Sequence, residues 1–289
     1  MTRYRISEMT EHYAKHDMIH EHTKLPPIAG PRLRMLFAFL DQQPALSKHS
    51  ELYTLVISLV QLGMDTHDLI DTETARRSEK EMRSRQLNVL AGDFFSARFY
   101  QLLAESGQIE MISRISNAVC EVNRLKVNLY MRMRQLRLTA DEYFSFAVQL
   151  RSEMFQQFSS LLEGTLSRLW PEMLSGVSRF EVALDEIERS SSKERFEKSW
   201  AYWHLLQVGS EEERHRLTSQ SFDQSFINSM VDKYDIRDQL HAKLKFAADS
   251  MKLAAGKLES DMLTKELSGI MEGLINKLNI STPALNEMR

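Results

Sequence analysis

The sequence predicts an all-α protein, and three observations carry that expectation. The six prolines stand at Pro26, Pro27, Pro31, Pro44, Pro171 and Pro283, so 45–170 and 172–282 are free of them. An interior proline costs a helix about 3 kcal/mol, which makes such spans permissive. No segment shows the apolar–polar alternation between turn signals that half-buried strands need. Apolar residues recur instead at helical spacing, as in "LYTLVISLVQLGM".

The elements follow in order. A first helix is expected over about 3–24, stopped by "KLPPIAGP", and a short one over about 31–42, stopped by "DQQPALS". A long helix is expected over about 47–72 with Ser47 as its N-cap. Further helices are expected over about 85–105, 108–136 and 140–169, with "WPEMLSG" breaking the chain. Helices at about 178–190 and 194–207, one from about 222, and a last group reaching about 279 complete the reading. No Gly-, Ser- or Pro-rich linker and no repeat divides the chain, so 1–289 reads as a single helical domain. In it, helix 3–24 docks on a bundle of about 31–280.

Two of these helices are apolar on more than one face. In 52–62, Leu52, Leu55, Val56, Leu59, Val60 and Leu62 are joined by Ile57 on the far side; in 89–103, Val89, Leu90, Phe94, Phe95, Phe99, Tyr100, Leu102 and Leu103 cover most of the circumference. A helix apolar all round is buried in a core or at an interface. For the second helix, Leu90, Ala91, Gly92, Asp93, Phe94, Phe95, Ala97 and Phe99 are the candidate interface residues, since its small side chains allow another helix to approach.

Composition narrows the function. The chain has 289 residues, 43% of them hydrophobic, and a net charge of −3 with both signs mixed. That gives no case for nucleic acid, which favours a basic face. A single cysteine, Cys120, excludes an intrachain disulfide framework and fits a reducing compartment; it reads as a small buried apolar residue. The N-terminus lacks the apolar core of a secretory signal, and no apolar run reaches the roughly 20 residues of a transmembrane helix. The expectation is a cytoplasmic protein. Trp170, Trp200 and Trp203 read as packing anchors.

The stretch with chemistry in it is "THDLIDTETARRSEKEMRSRQLNVLAGDFF", 66–95. On a helix His67, Asp68 and Asp71 lie near one face, with Arg76 and Arg77 following. Magnesium holding a diphosphate wants hard oxygen ligands, for which imidazole is a poor substitute. The two arginines could still meet phosphate oxygens. A solvated face of Asp–Arg pairs is the plainer alternative.

"HDLIDTETARR" resembles the first aspartate-rich motif of the trans-isoprenyl diphosphate synthases, Asp-Asp-x-x-Asp, four residues, then Arg-Arg-Gly. His67 stands at its first aspartate, Asp68 and Asp71 at the others, Arg76 and Arg77 at the arginine pair, and Ser78 at the glycine. "LNVLAGDFFSARFYQLLAESG" is similar to the Leu-Ala-Gly-Asp-Tyr-Leu segment, an interface helix in that family. "AGPRLRM" is similar to the Gly-Gly-Lys-Arg-Leu-Arg-Pro isopentenyl diphosphate site; it keeps Arg32 and Arg34 and puts Pro31 at the lysine.

The departures are collective. For the second aspartate-rich motif the nearest candidate is "SRFEVALDEIERS", where Asp185 and Glu186 precede Arg189 instead of a third acid. "VDKYDIRDQL" offers Asp232, Asp235 and Asp238 interleaved with Lys233 and Arg237, and "VQLRSEM" is the weak equivalent of a Lys-Thr pair. This pattern resembles component 1, the smaller non-catalytic subunit of bacterial two-component heptaprenyl or hexaprenyl diphosphate synthases, most strongly over 52–106. The resemblance implies an isoprenoid synthase fold and no catalytic residue or metal of the chain's own. It also implies Mg²⁺ on a catalytic component 2, a heterodimer that makes the prenyl chain of menaquinone, and a role in shaping the product tunnel. Self-association without that partner is left open.

Two other readings stand beside it. One is an active prenyl transferase with an atypical metal site built from His67, Asp68, Asp71 and Arg77. The other is a metal protein using His12, His16 and His20, which share a helix face, with His22 nearby. No phosphate loop, Gly-x-Ser-x-Gly elbow or Cys-x-x-Cys pair occurs.

Overall fold

The helices begin where local side chains satisfy free amides. Ser78 accepts from the Glu81 amide while Glu81 Oε2 accepts from the Ser78 amide at 2.8 Å, a capping box that opens a helix over Glu79–Glu105. Ser210 and Glu213 repeat the device before Glu211–Thr218, and Asp223 caps Gln224–Lys233. Pro31 sits in the first turn of Gly30–Gln42, where its missing amide donor is no loss.

The computed structural model describes residues 3–15, 17–70, 78–258 and 260–281. Its helices are α1 (Ile6–Ala14), α2 (Asp17–His22), α3 (Gly30–Gln42), α4 (Ser50–Asp68), α5 (Glu79–Glu105), α6 (Ile109–Arg134) and α7 (Ala140–Gln156). Then come α8 (Gly164–Arg189), α9 (Trp200–Val208), α10 (Glu211–Thr218), α11 (Gln224–Lys233), α12 (Ile236–Ala255) and α13 (Asp261–Ser281). Among the described residues there is no strand, as expected, and no helix long and apolar enough to cross a membrane.

The chain forms two compact units, one of Met1–Val119 with Gln157–Leu166, the other of Cys120–Gln156 with Ser167–Arg289. In the first, α4 is the buried element. Leu55, Val56, Ile57, Leu59, Val60 and Leu62 are all 4% exposed or less, so no face of that stretch is left to solvent. Ile6, Phe37, Leu55, Leu59, Leu62, Ala91 and Phe95 form one cluster that joins α1, α3, α4 and α5. Each such side chain stabilises by roughly 1.5–3 kcal/mol. Thr10 Oγ1 donates to Ser58 Oγ at 2.8 Å, which satisfies two buried hydroxyls where α1 meets α4. In the second unit Trp170, Trp200 and Trp203 are buried at 2% exposure or less, as packing anchors should be.

Several boundaries correct the sequence reading. The N-terminal helix is divided into α1 and α2. Ser47 does not cap α4: it begins a 3₁₀ turn, its hydroxyl bonds Pro44 O at 3.2 Å, and the α-helix starts at Ser50. α5 starts six residues earlier than expected because of its capping box. α7 ends at Gln156 rather than near 169. α8 runs through Pro171, where a break was expected. Burial of Trp170, Met173, Leu174, Val177 and Phe180 on that helix exceeds the roughly 3 kcal/mol of one interior proline. Cys120 is exposed, not buried: its position on α6 faces away from the row of Ile115, Ala118, Val122 and Leu125.

Candidate functional site

The first acidic motif begins in the last turn of α4. The inner face of α5 there is Ala91, Gly92, Phe95, Phe99 and Leu103, and its small residues let α4 come close. A Cβ on Gly63 would stand 3.0 Å from the Gly92 carbonyl oxygen. A Cβ on Gly92 would stand 2.5 Å from His67 Nε2. The His67 ring therefore lies directly on the Gly92 backbone, and its Nε2 is 3.4 Å from Asp93 Oδ1. The position at which the motif wants an oxygen ligand is filled by an imidazole docked on α5. Asp68 is exposed and has a partner within the fold. Asp71, Arg76 and Arg77 lie outside the described residues.

Arg32, the first surviving basic residue of the "GPRLR" segment, is only 5% exposed, while Arg34 is half-buried; both are engaged within the fold. The Arg34 charge acts on Tyr4, opposing the burial that raises the phenol.

The second acidic candidate lies on α8 and is committed to internal structure. Asp185 is ion-paired with Arg151 of "VQLRSEM", and its Oδ2 is 3.8 Å from Arg189. Glu186 is 2% exposed. It accepts from the Trp200 amide at 2.6 Å and from Tyr143 Oη at 3.1 Å, so it caps α9 from a distant helix. Burial pushes its carboxyl up to about 7, against the pull of the Trp200 amide and Arg189. Burial also raises the Tyr143 phenol. Asp232, Asp235 and Asp238 are exposed but do not share a helix as expected: Asp232 lies on α11, Asp238 on α12, and Asp235 in the left-handed turn between them.

Among the described residues no three His, Cys, Asp or Glu side chains gather where a metal could sit. The chemistry of the donors agrees. Among the described residues the first motif presents an imidazole and the Asp68 carboxylate, and the second presents one carboxylate neutralised by arginines and one turned into a helix cap. Magnesium with a diphosphate needs several free oxygen anions, so these donors do not fit it. The histidine row cannot be assembled from the structure: His12 stands edge-on to Tyr13, while His16 and the side chains of His20 and His22 lie outside what is described.

The interface candidates divide by face. Ala91, Gly92, Phe95 and Phe99 point into the first unit's core; Phe94 is half-buried under the Arg98 guanidinium at 4.9 Å. Leu90 (61% exposed), Asp93, Ala97 and Tyr100 (57%) form an outward row at helical spacing. Sequence reading missed a second row, Ile109, Cys120, Val127 and Tyr130 on α6, all exposed and on one helix face. The signal was present: these apolar residues interrupt the polar side of an otherwise amphipathic helix.

Comparison with known proteins now decides the family. A family model described as heptaprenyl diphosphate synthase (HEPPP synthase) subunit 1 matches residues 16–231. The chain belongs to that family. Heptaprenyl diphosphate synthase component 1 of Geobacillus stearothermophilus is 36% identical over 91 residues, which span 32% of this chain and 39% of that relative. The fold is that of the isoprenoid synthases. Geranylgeranyl pyrophosphate synthase from Lactobacillus brevis superposes with a TM-score of 0.71 at 13% identity, covering 94% of each chain. Heptaprenyl diphosphate synthase from Staphylococcus aureus gives 0.67 at 12% identity, over 93% of this chain and 95% of that one. In this subunit 1 family member, the α4–α5 contact and the α8–α9 cap are what stand at the two acidic motifs.

Proposed function

We propose that this chain is the non-catalytic subunit of a heterodimeric heptaprenyl diphosphate synthase that makes the prenyl side chain of menaquinone. One observation carries the reading: His67 stands at the first acid of one motif, and Asp185 and Glu186 of the other are engaged within the fold. Prenyl elongation ionises an allylic diphosphate, and the departing pyrophosphate must be stabilised by metal ions and basic side chains. Here Arg151 neutralises Asp185, a would-be metal ligand, and His67 replaces another oxygen donor. The catalytic partner supplies Mg²⁺. This chain supplies half of the interface through the outward row of α5 and contributes to the wall of the product tunnel.

The purified chain, given farnesyl diphosphate, isopentenyl diphosphate and Mg²⁺, is expected to form no product, and to restore full activity when mixed with a catalytic subunit. Turnover by the chain alone refutes the proposal. Leu90→Glu, on the outward row, is expected to leave the melting temperature of the isolated chain unchanged and to weaken pairing in gel filtration. Unchanged pairing would remove α5 from the interface.

A further inference from the structure

Outside both acidic motifs, the outward face of α12 stands apart from the rest of the surface. Leu253 is 70% exposed and Phe246 66%, the two most exposed large apolar side chains among the described residues. They are seven residues apart and so share one helix face. Lys245 and Lys252, also seven apart, run along one side of them, with the exposed Asp249 between the two rows; both lysines are exposed, and neither is ion-paired with a carboxylate among the described residues. From Ile236 to Leu258 the chain carries five basic residues (Arg237, Lys243, Lys245, Lys252, Lys257) against two acidic ones (Asp238, Asp249), although the whole chain is net negative at −3.

Phe246 also borders a groove of about 420 Å³ that it shares with Phe144, Arg179, Gln239, Ala242 and Lys243. Lys243 Nζ lies over the Phe144 and Trp200 rings at 4.9 and 5.2 Å and 3.3 Å from Asp141 Oδ1. Arg179 bonds only the Ser175 hydroxyl among the described residues, at 3.3 Å. Of the two cations that line the groove, Lys243 is paired with a carboxylate and Arg179 meets none among the described residues.

We infer that this face of α12 docks on an anionic lipid bilayer. Exposed apolar residues bordered by lysines are the pattern of an interfacial helix, with the apolar side chains sinking into the acyl boundary and the cations meeting lipid phosphates. Arg179 and Lys243 are placed to receive a headgroup phosphate beside Phe246. The purpose rests on the function proposed above: a diphosphate on a long hydrocarbon tail is an amphiphile that leaves water for a membrane.

The test is co-sedimentation of the full chain, alone and paired with its catalytic subunit, with vesicles of phosphatidylcholine and of phosphatidylcholine mixed with phosphatidylglycerol. Binding is expected only with phosphatidylglycerol and is expected to weaken as salt rises. Lys245→Glu with Lys252→Glu should lower partitioning about tenfold or more. Phe246→Ser with Leu253→Ser should abolish it. Both double variants should keep the helical circular dichroism, since all four side chains are exposed. The inference is overturned if neither form binds the acidic vesicles, or if the variants bind as well as the parent chain. It is overturned too if the Phe246/Leu253 variant fails to pair with the catalytic subunit, which would make α12 a protein interface. Prenyl synthesis by the mixed subunits in detergent is read in parallel. Its loss in the parent pair would count against the proposed function, not against docking.

Discussion

The end of α4 and the end of α8 depart from the acidic motifs they resemble in different ways. At α4 the ligand itself is changed: His67 takes an aspartate's place, and the ring is held by a glycine that leaves room for it. At α8 the acids are still present but are engaged. Asp185 faces two arginines, and Glu186 is buried as the cap of α9. Substitution is visible in the sequence, whereas sequestration needs partners from elsewhere in the chain. A carboxylate count therefore overstates what α8 can hold, and the two ends should respond differently to mutation and to pH.

The largest effect is expected at Glu186. Its carboxyl is pushed up to about 7 in the folded chain, above the ordinary value of 4.5. Between those values the folded state binds more protons than the unfolded one, so stability falls as pH rises through that window. At 1.36 kcal/mol per unit, the loss reaches up to about 3 kcal/mol. Urea denaturation at pH 5 and pH 8 measures it, and Glu186→Gln should flatten the difference. An equal slope in that variant would place the titrating group elsewhere. At pH 5, Glu186→Ala should cost about 2 kcal/mol, because the Trp200 amide loses its acceptor, while the Tyr143 hydroxyl keeps the Lys198 carbonyl.

An intermediate effect is expected at α4–α5. Gly92→Ala brings a methyl group onto the His67 ring and should destabilise by about 1–2 kcal/mol. Combining it with His67→Ala should recover most of that loss, which a double-mutant cycle reads directly. If the two losses simply add, the imidazole is not what Gly92 accommodates.

The smallest effect is expected at Arg151–Asp185. The two side chains are 26% and 44% exposed, so removing either should cost less than about 1 kcal/mol, a loss that shrinks in high salt. Freeing Asp185 by Arg151→Ala should still not yield turnover by the isolated chain, since His67 and Arg189 remain.

The opening motif was readable because its members lie within eleven residues of one another. His67 at an aspartate position and the Ala-Gly-Asp of α5 could both be quoted directly. The Ser-x-x-Glu boxes at 78–81 and 210–213 were equally readable, and overlooking the first placed α5 too far along the chain. Pro171 misled because propensity is a local term, whereas the apolar face of α8 gains its stabilisation from contacts distant in sequence. Cys120 misled for the opposite reason: a small apolar side chain carries too little transfer energy to dictate its own burial.

Composition, the spread of proline and helical periodicity were enough for an all-α chain, and one short motif pointed to its family, because those signals are carried by neighbours in the chain. The tertiary structure alone decided that the His67 ring rests on Gly92, that Glu186 caps α9, and which face of α5 points outward. Each depends on bringing together residues 14 to 43 positions apart or on which side of a helix loses its water. Burial and pairing of that kind are properties of the packed state, and no single stretch of sequence contains them.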